Sequence, residues 1–131
     1  MLLKTSTTEM FDPLFNKWFA MPNLKVARTS HSSICLLGTV YVFFGFDFGS
    51  KYLNIIESIN YLKREQTWEI MTTNLPHLEA RANSHLIAIN MNHIMIFGGE
   101  SYIKRSGSKK GAFLKDLAPI ILNTNGTFIP R

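Results

Sequence analysis

A set of aromatic, basic and glycine residues recurs in the same order about fifty positions further along the chain, and this recurrence constrains the fold more than any other feature. Trp18 and Trp68 lie 50 residues apart, and each follows an aromatic, Phe11 or Tyr61, by seven. Arg28 and Arg81 are 53 apart, His31 and His85 54, and Phe44-Gly45 and Gly98-Gly99 also 54. Ile121 and Phe128, again seven apart, read as a decayed third copy of the aromatic pair. Chance supplies one such coincidence, but not five in one order. A chain of 131 residues with this period must build one domain from repeated units of about fifty residues.

The apolar runs inside each unit are short, rich in β-branched and aromatic residues, and separated by Gly, Asn, Pro and Ser, so they read as strands. Ser33–Leu37 meets Val40–Phe44 across Gly38-Thr39, and His85–Ile89 meets Ile94–Phe97 across residues 90–93. Between these hairpins, Asn54–Tyr61 and Thr67–Met71 alternate polar with apolar around the turn Lys63–Gln66. Four antiparallel strands in meander order therefore fill residues 32–71, with room for one short helix before Arg81. Four strands per unit and a period near fifty point to β-propeller blades.

These residues resemble kelch repeats. Arg28, His31, Tyr41–Gly45, Glu57–Tyr61 and Trp68 fall in the order of one kelch unit, and Arg81, His85, Ile96–Gly99 and Leu114–Leu117 in that of the next. The resemblance covers about residues 7–131, with departures at Phe44, Ile121 and Phe128. It implies an all-β chain of about two and a half four-stranded antiparallel blades, an incomplete propeller spanning residues 1–131. Residues 7–21 would supply strands three and four of a first blade, 28–71 a complete blade, and 81–131 a divergent last one. The repeated residues Trp18, Arg28, Gly45, Tyr61, Trp68, Arg81, Gly98 and Gly99 would be structural. The two tryptophans would fill the gaps between blades, and the diglycines would redirect the chain after a buried strand.

Chemistry-bearing residues are sparse. Cys35 alone excludes an internal disulfide framework and a multi-cysteine zinc site. His31 and Cys35, four residues apart on one strand, would stand ~13 Å apart along it, too far for proton transfer. The alternation makes Cys35 a small buried hydrophobe. His85 and His93 lack a third ligand nearby. Some kelch propellers are copper oxidases, but the cross-linked Cys–Tyr and two-histidine set of that cofactor has no counterpart here. Ser106–Gly111 lacks the spacing of a phosphate loop, and Asn125-Gly-Thr127 is more simply a turn than a glycosylation site. The expectation is no catalysis and no cofactor.

Charge sharpens this reading. Residues 1–100 carry eight basic and eight acidic groups, whereas residues 101–131 carry six basic groups against Asp116 alone. A uniformly basic nucleic-acid-binding domain is thereby disfavoured. The segment Ser101–Ala112 holds Lys104, Arg105, Lys109 and Lys110 without a carboxylate and reads as a flexible loop on the rim that also carries residues 19–26, 46–53 and 71–80. The longest apolar stretch, Ile34–Phe46, is short of the ~20 residues of a spanning helix. The resulting expectation is a cytoplasmic or nuclear module that binds proteins, acidic ones through Ser101–Ala112, and that self-associates or is completed by further blades. Two alternatives stand beside it. One is a fragment of a kelch-type enzyme whose site needs more blades, and the other is electrostatic nucleic-acid binding by the basic carboxyl-terminal part.

Overall fold

The computed structural model describes residues 5–63, 66–71, 79–105, 108–113 and 120–125, with the backbone alone for 102–105 and 108–113. Every strand pairs antiparallel, and no helix occurs among the described residues. Strands β1 (Thr8–Asp12) and β2 (Lys17–Met21) form a hairpin with Phe11 opposite Trp18. Strands β3 (Ser32–Leu36), β4 (Thr39–Phe43), β5 (Ile56–Asn60) and β6 (Glu69–Ile70) form a four-stranded meander in chain order. Strands β7 (His85–Asn90), β8 (His93–Phe97) and β11 (Ile120–Asn123) form a third sheet, ordered β7-β8-β11. A further hairpin, β9 (Glu100–Arg105) and β10 (Ser108–Phe113), is inserted between β8 and β11. The segment before Arg81 with room for a short helix lies largely outside the described residues, and Leu114–Leu117 of the second repeat unit lies wholly outside them.

The repeat reappears in the hydrogen bonds. Thr29 bridges Phe46, and Ala82 bridges Glu100 at the same place in the next copy. Arg28 N donates to Thr5 O at 3.2 Å, and Arg81 N donates to Leu53 O at 3.1 Å. Gly45 and Gly99 take φ of 103° and 96°, and a Cβ on either would press on the carbonyl of Thr29 or Ala82 at 2.5 or 2.8 Å. Only glycine fits such a left-handed position against backbone. Gly98 has φ 68°, and its counterpart Phe44 adopts φ 63° despite its side chain. That strain is tolerated because the Phe44 ring is fully buried beside Phe43, with centroids 5.5 Å apart.

Strand alternation gives the second sheet two apolar faces, and each meets a different neighbour. Tyr41, Phe43 and Ile56 join Ile94, Ile96 and Leu122 in one core between the second and third sheets. Val42, Ile59, Trp68 and Leu24 form a second core, with Met21 of the β1–β2 hairpin packed against it. Gly45 N donates to Arg81 O and Asn83 N to Ser30 O, both at 2.9 Å, which ties the second sheet to the third through backbone.

Two positions depart from the sequence reading. Trp68 is 4% exposed and donates its indole N–H to Pro22 O at 2.9 Å, as an intersheet residue should. Trp18 is 67% exposed, because register sets it opposite Phe11 on the hairpin face that alternates with the one carrying Thr8 and Met21, which meet the second sheet. In the third sheet Ile121 takes the register of Ser58, opposite Met95, and not that of Tyr61. Thr124 occupies the Tyr61 place: its N–H bonds Asn92 O, as that of Tyr61 bonds Gly38 O. Phe128 lies outside the described residues.

The two tryptophans should therefore differ in mutation. Trp68→Ala should cost ~3–5 kcal/mol, and Trp18→Ala less than ~1 kcal/mol, in the isolated chain. Denaturant midpoints of the two variants check this; equal losses would contradict the packing described.

Candidate interaction surface

The densest polar cluster surrounds Arg28, whose guanidinium and the Glu57 carboxylate are both fully buried and 2.6 Å apart. Arg28 also donates to the carbonyls of Val26, Phe44 and Ile55, at 3.3, 3.0 and 2.8 Å. Glu57 accepts from the Lys25 and Val26 amides at 2.6 and 3.2 Å. Burial pushes the guanidinium below its ordinary pKa, while the Glu57 charge and hydrogen bond pull it back up. Every strong donor and acceptor of the pair is thus engaged inside the protein, which makes the pair a brace between segments. The sequence carried Arg28 and Glu57 as separate repeat positions; only the fold brings them together.

Arg81 repeats Arg28 with a different solution. The register places Ile120 where Glu57 stands in the preceding sheet, so no carboxylate comes from that strand. Arg81 instead donates to the Glu79 carbonyl at 3.2 Å, and its guanidinium carbon lies 5.4 Å from the centre of the Phe44 ring. Burial lowers its pKa as well, opposed by the Glu79 charge.

The histidines and the cysteine are dispersed. Cys35 is exposed and not buried, because alternation along β3 gives the core side to Ile34 and Leu36 and turns Cys35 to the other face of an edge strand. His85 stacks on Phe97 at 5.5 Å. His93 pairs with Asn90 at the far end of the same hairpin, four residues or ~13 Å along the strand from His85. Among the described residues no group of three or more His, Cys, Asp or Glu is arranged to hold a metal. An apolar groove of about 370 Å³ runs between the β1–β2 hairpin and the second sheet, lined by Met10, Phe11, Met21, Val40, Ile59, Tyr61 and Trp68 among others.

The segment read as a flexible loop at Ser101–Ala112 is a β-hairpin for most of its length. Tyr102-Ile103 and Ala112-Phe113 flanking Ser106-Gly107 are strand and turn chemistry, a signal that the basic composition masked. Its register sets Lys104 directly across from Lys109, Arg105 across from Ser108, and Lys110 across from Ile103. Like charges at opposed positions weaken a hairpin, and an anionic partner relieves that cost.

This hairpin has a counterpart in the preceding unit. Residues 46–53 leave the second sheet at the Thr29–Phe46 bridge, between its second and third strands, as the hairpin leaves the third sheet at Ala82–Glu100. The shorter insertion is a closed turn: Asp47 Oδ1 accepts the Gly49 and Lys51 amides, both at 2.9 Å, and Phe46 packs on Tyr52 at 4.5 Å. Phe48 at its tip is 72% exposed. Two successive insertions thus leave equivalent positions, one ending in an aromatic and the other in four basic residues.

The ion pair makes a stability prediction. Arg28→Ala should destabilise by ~3–5 kcal/mol, since it leaves Glu57 buried without its cation. The double variant Arg28→Met/Glu57→Leu should recover only part of that loss, as measured by denaturant midpoint, because it removes the uncompensated charge but leaves the Lys25 and Val26 amides and the Phe44 carbonyl without these partners.

No protein-family model matches the chain, and neither does any curated protein.

Proposed function

We propose that the chain is part of a kelch-type β-propeller and acts as a non-catalytic protein-interaction module. Its sheets would be successive blades: the β1–β2 hairpin the outer half of one, β3–β6 a complete second, and β7, β8 and β11 three strands of another. Partners would bind along the edge from which residues 46–53 and the β9–β10 hairpin emerge. The observation that carries this reading is the shared origin of those two insertions. Surface segments that leave equivalent positions of stacked repeats line up into one extended binding edge, and function concentrates on such segments. The exposed Phe48 offers an apolar anchor, and Lys104, Arg105, Lys109 and Lys110 favour an acidic partner, whose encounter they would accelerate.

Replacing the four basic residues with Thr, which keeps strand propensity, tests the proposal. The folding midpoint should stay within ~0.5 kcal/mol of the parent, because the change lies outside both cores. Proteins captured by the parent from nuclease-treated native lysate should be lost by the variant. Identical capture lists would remove the hairpin as the binding site. Capture that survives only without nuclease, and that falls steeply with salt, would favour the nucleic-acid reading instead.

A further inference from the structure

One nucleophilic group stands among the four cations of the β9–β10 hairpin. Ser108 opens β10, and register sets it directly across from Arg105 at the turn end of the hairpin. That end is ~17 Å along the strands from the Glu100–Phe113 pair at which the hairpin begins. Glu100, the one carboxylate on either strand, belongs to the far end. In sequence, Ser108 has Arg105 three positions and Lys104 four positions before it, with Lys109 and Lys110 directly after it. The next register pair inward opposes Lys104 to Lys109, a like-charge pairing that costs the hairpin stability. A hydroxyl therefore occupies the place where the hairpin most lacks negative charge. Ser106 differs, since Ile103 stands three positions before it.

We infer that Ser108 is a phosphorylation site for a protein kinase whose acidic cleft reads the flanking basic residues, and that its phosphate switches off the binding of acidic partners by the hairpin. Charge patterns of this kind are what such kinases select. The switch rests on the hairpin binding acidic partners, as in the functional reading; the choice of acceptor does not. In the transfer, the Ser108 hydroxyl oxygen bonds to the γ-phosphorus of ATP as the bond from that phosphorus to the bridging oxygen breaks. ADP leaves, and the hydroxyl proton passes through the kinase to solvent. Ser101–Ala112 carries four basic groups and no acidic one, so the added phosphate takes its charge from +4 to about +2. A phosphate at this register position is opposite Arg105 and next in sequence to Lys109. It supplies from within the counter-charge that an acidic partner supplies from outside, so it steadies the hairpin and weakens its hold on that partner together.

Two measurements test this. The chain is incubated with ATP and a purified serine kinase that requires arginine three residues before its acceptor, and tandem mass spectrometry locates the phosphate. One phosphate on Ser108 is expected, lost in Ser108→Ala and kept in Ser106→Ala. No incorporation, or incorporation that survives Ser108→Ala, overturns the inference; the mass spectrum of the unmodified sequence decides alone if a variant does not fold. Retention on immobilised poly-glutamate then reads the switch. The phosphorylated chain should elute at lower salt than the parent, and phosphatase treatment should restore the parent's position. Unchanged elution overturns the switch, and early elution of the four-threonine variant in the same experiment leaves the functional reading standing. Equal elution of parent, phosphorylated chain and four-threonine variant removes the functional reading and the switch together.

Discussion

The structure depends first on a buried charge pair. Arg28 and Glu57 are fully withdrawn from water, and such a pair is tolerable only when its remaining hydrogen-bonding capacity is met. Here the requirement shapes three stretches of backbone at once. Residues 25 and 26 must offer their amides to Glu57, and the carbonyls of Val26, Phe44 and Ile55 must converge on the guanidinium. Phe44 holds its positive φ in that setting, and Gly45 follows it with the backbone freedom needed to reach Arg81 O. The join between the second and third sheets is thereby coupled to a charge buried inside the second.

The third sheet lacks this brace. Ile120 stands at the Glu57 position, so Arg81 relies on carbonyl oxygens and the face of Phe44. Both solutions bury the arginine, but only the first neutralises it with a fully buried carboxylate. The β7–β8–β11 sheet gains its hold on the molecule from Ile94, Ile96 and Leu122, packed against Tyr41, Phe43, Phe44 and Ile56. Its opposite face, with Ile87, Met95 and Ile121, stays partly open.

Much of this organisation is legible in the amino-acid sequence, since strand alternation and glycine placement are local. The β3–β4, β5–β6 and β7–β8 pairings follow from short apolar runs, and the positive φ of Gly45 and Gly99 follows from where those runs end. What escapes sequence reading is which face finds a neighbour. Trp18 and Trp68 occupy the same place in their units, yet only Trp68 has a sheet to bury it. Cys35 alternates like a core residue but lies on the uncovered side of an edge strand. The β9–β10 hairpin was hidden for a different reason: its four basic residues dominate the composition, and strand propensity carried by Tyr102, Ile103 and Phe113 is weak beside that charge.

Backbone bonds at repeat-equivalent positions join the sheets into a stack that should unfold as one cooperative unit. Native-state hydrogen exchange reads those bonds individually. The amides of Gly45, Arg81 and Asn83 donate across or beside the join between the second and third sheets, to Arg81 O, Leu53 O and Ser30 O. In a cooperative stack they exchange as slowly as the amides of β4, opening only with global unfolding. Exchange of these three at loop-like rates, with β4 still protected, would show that the sheets open independently and would contradict the account.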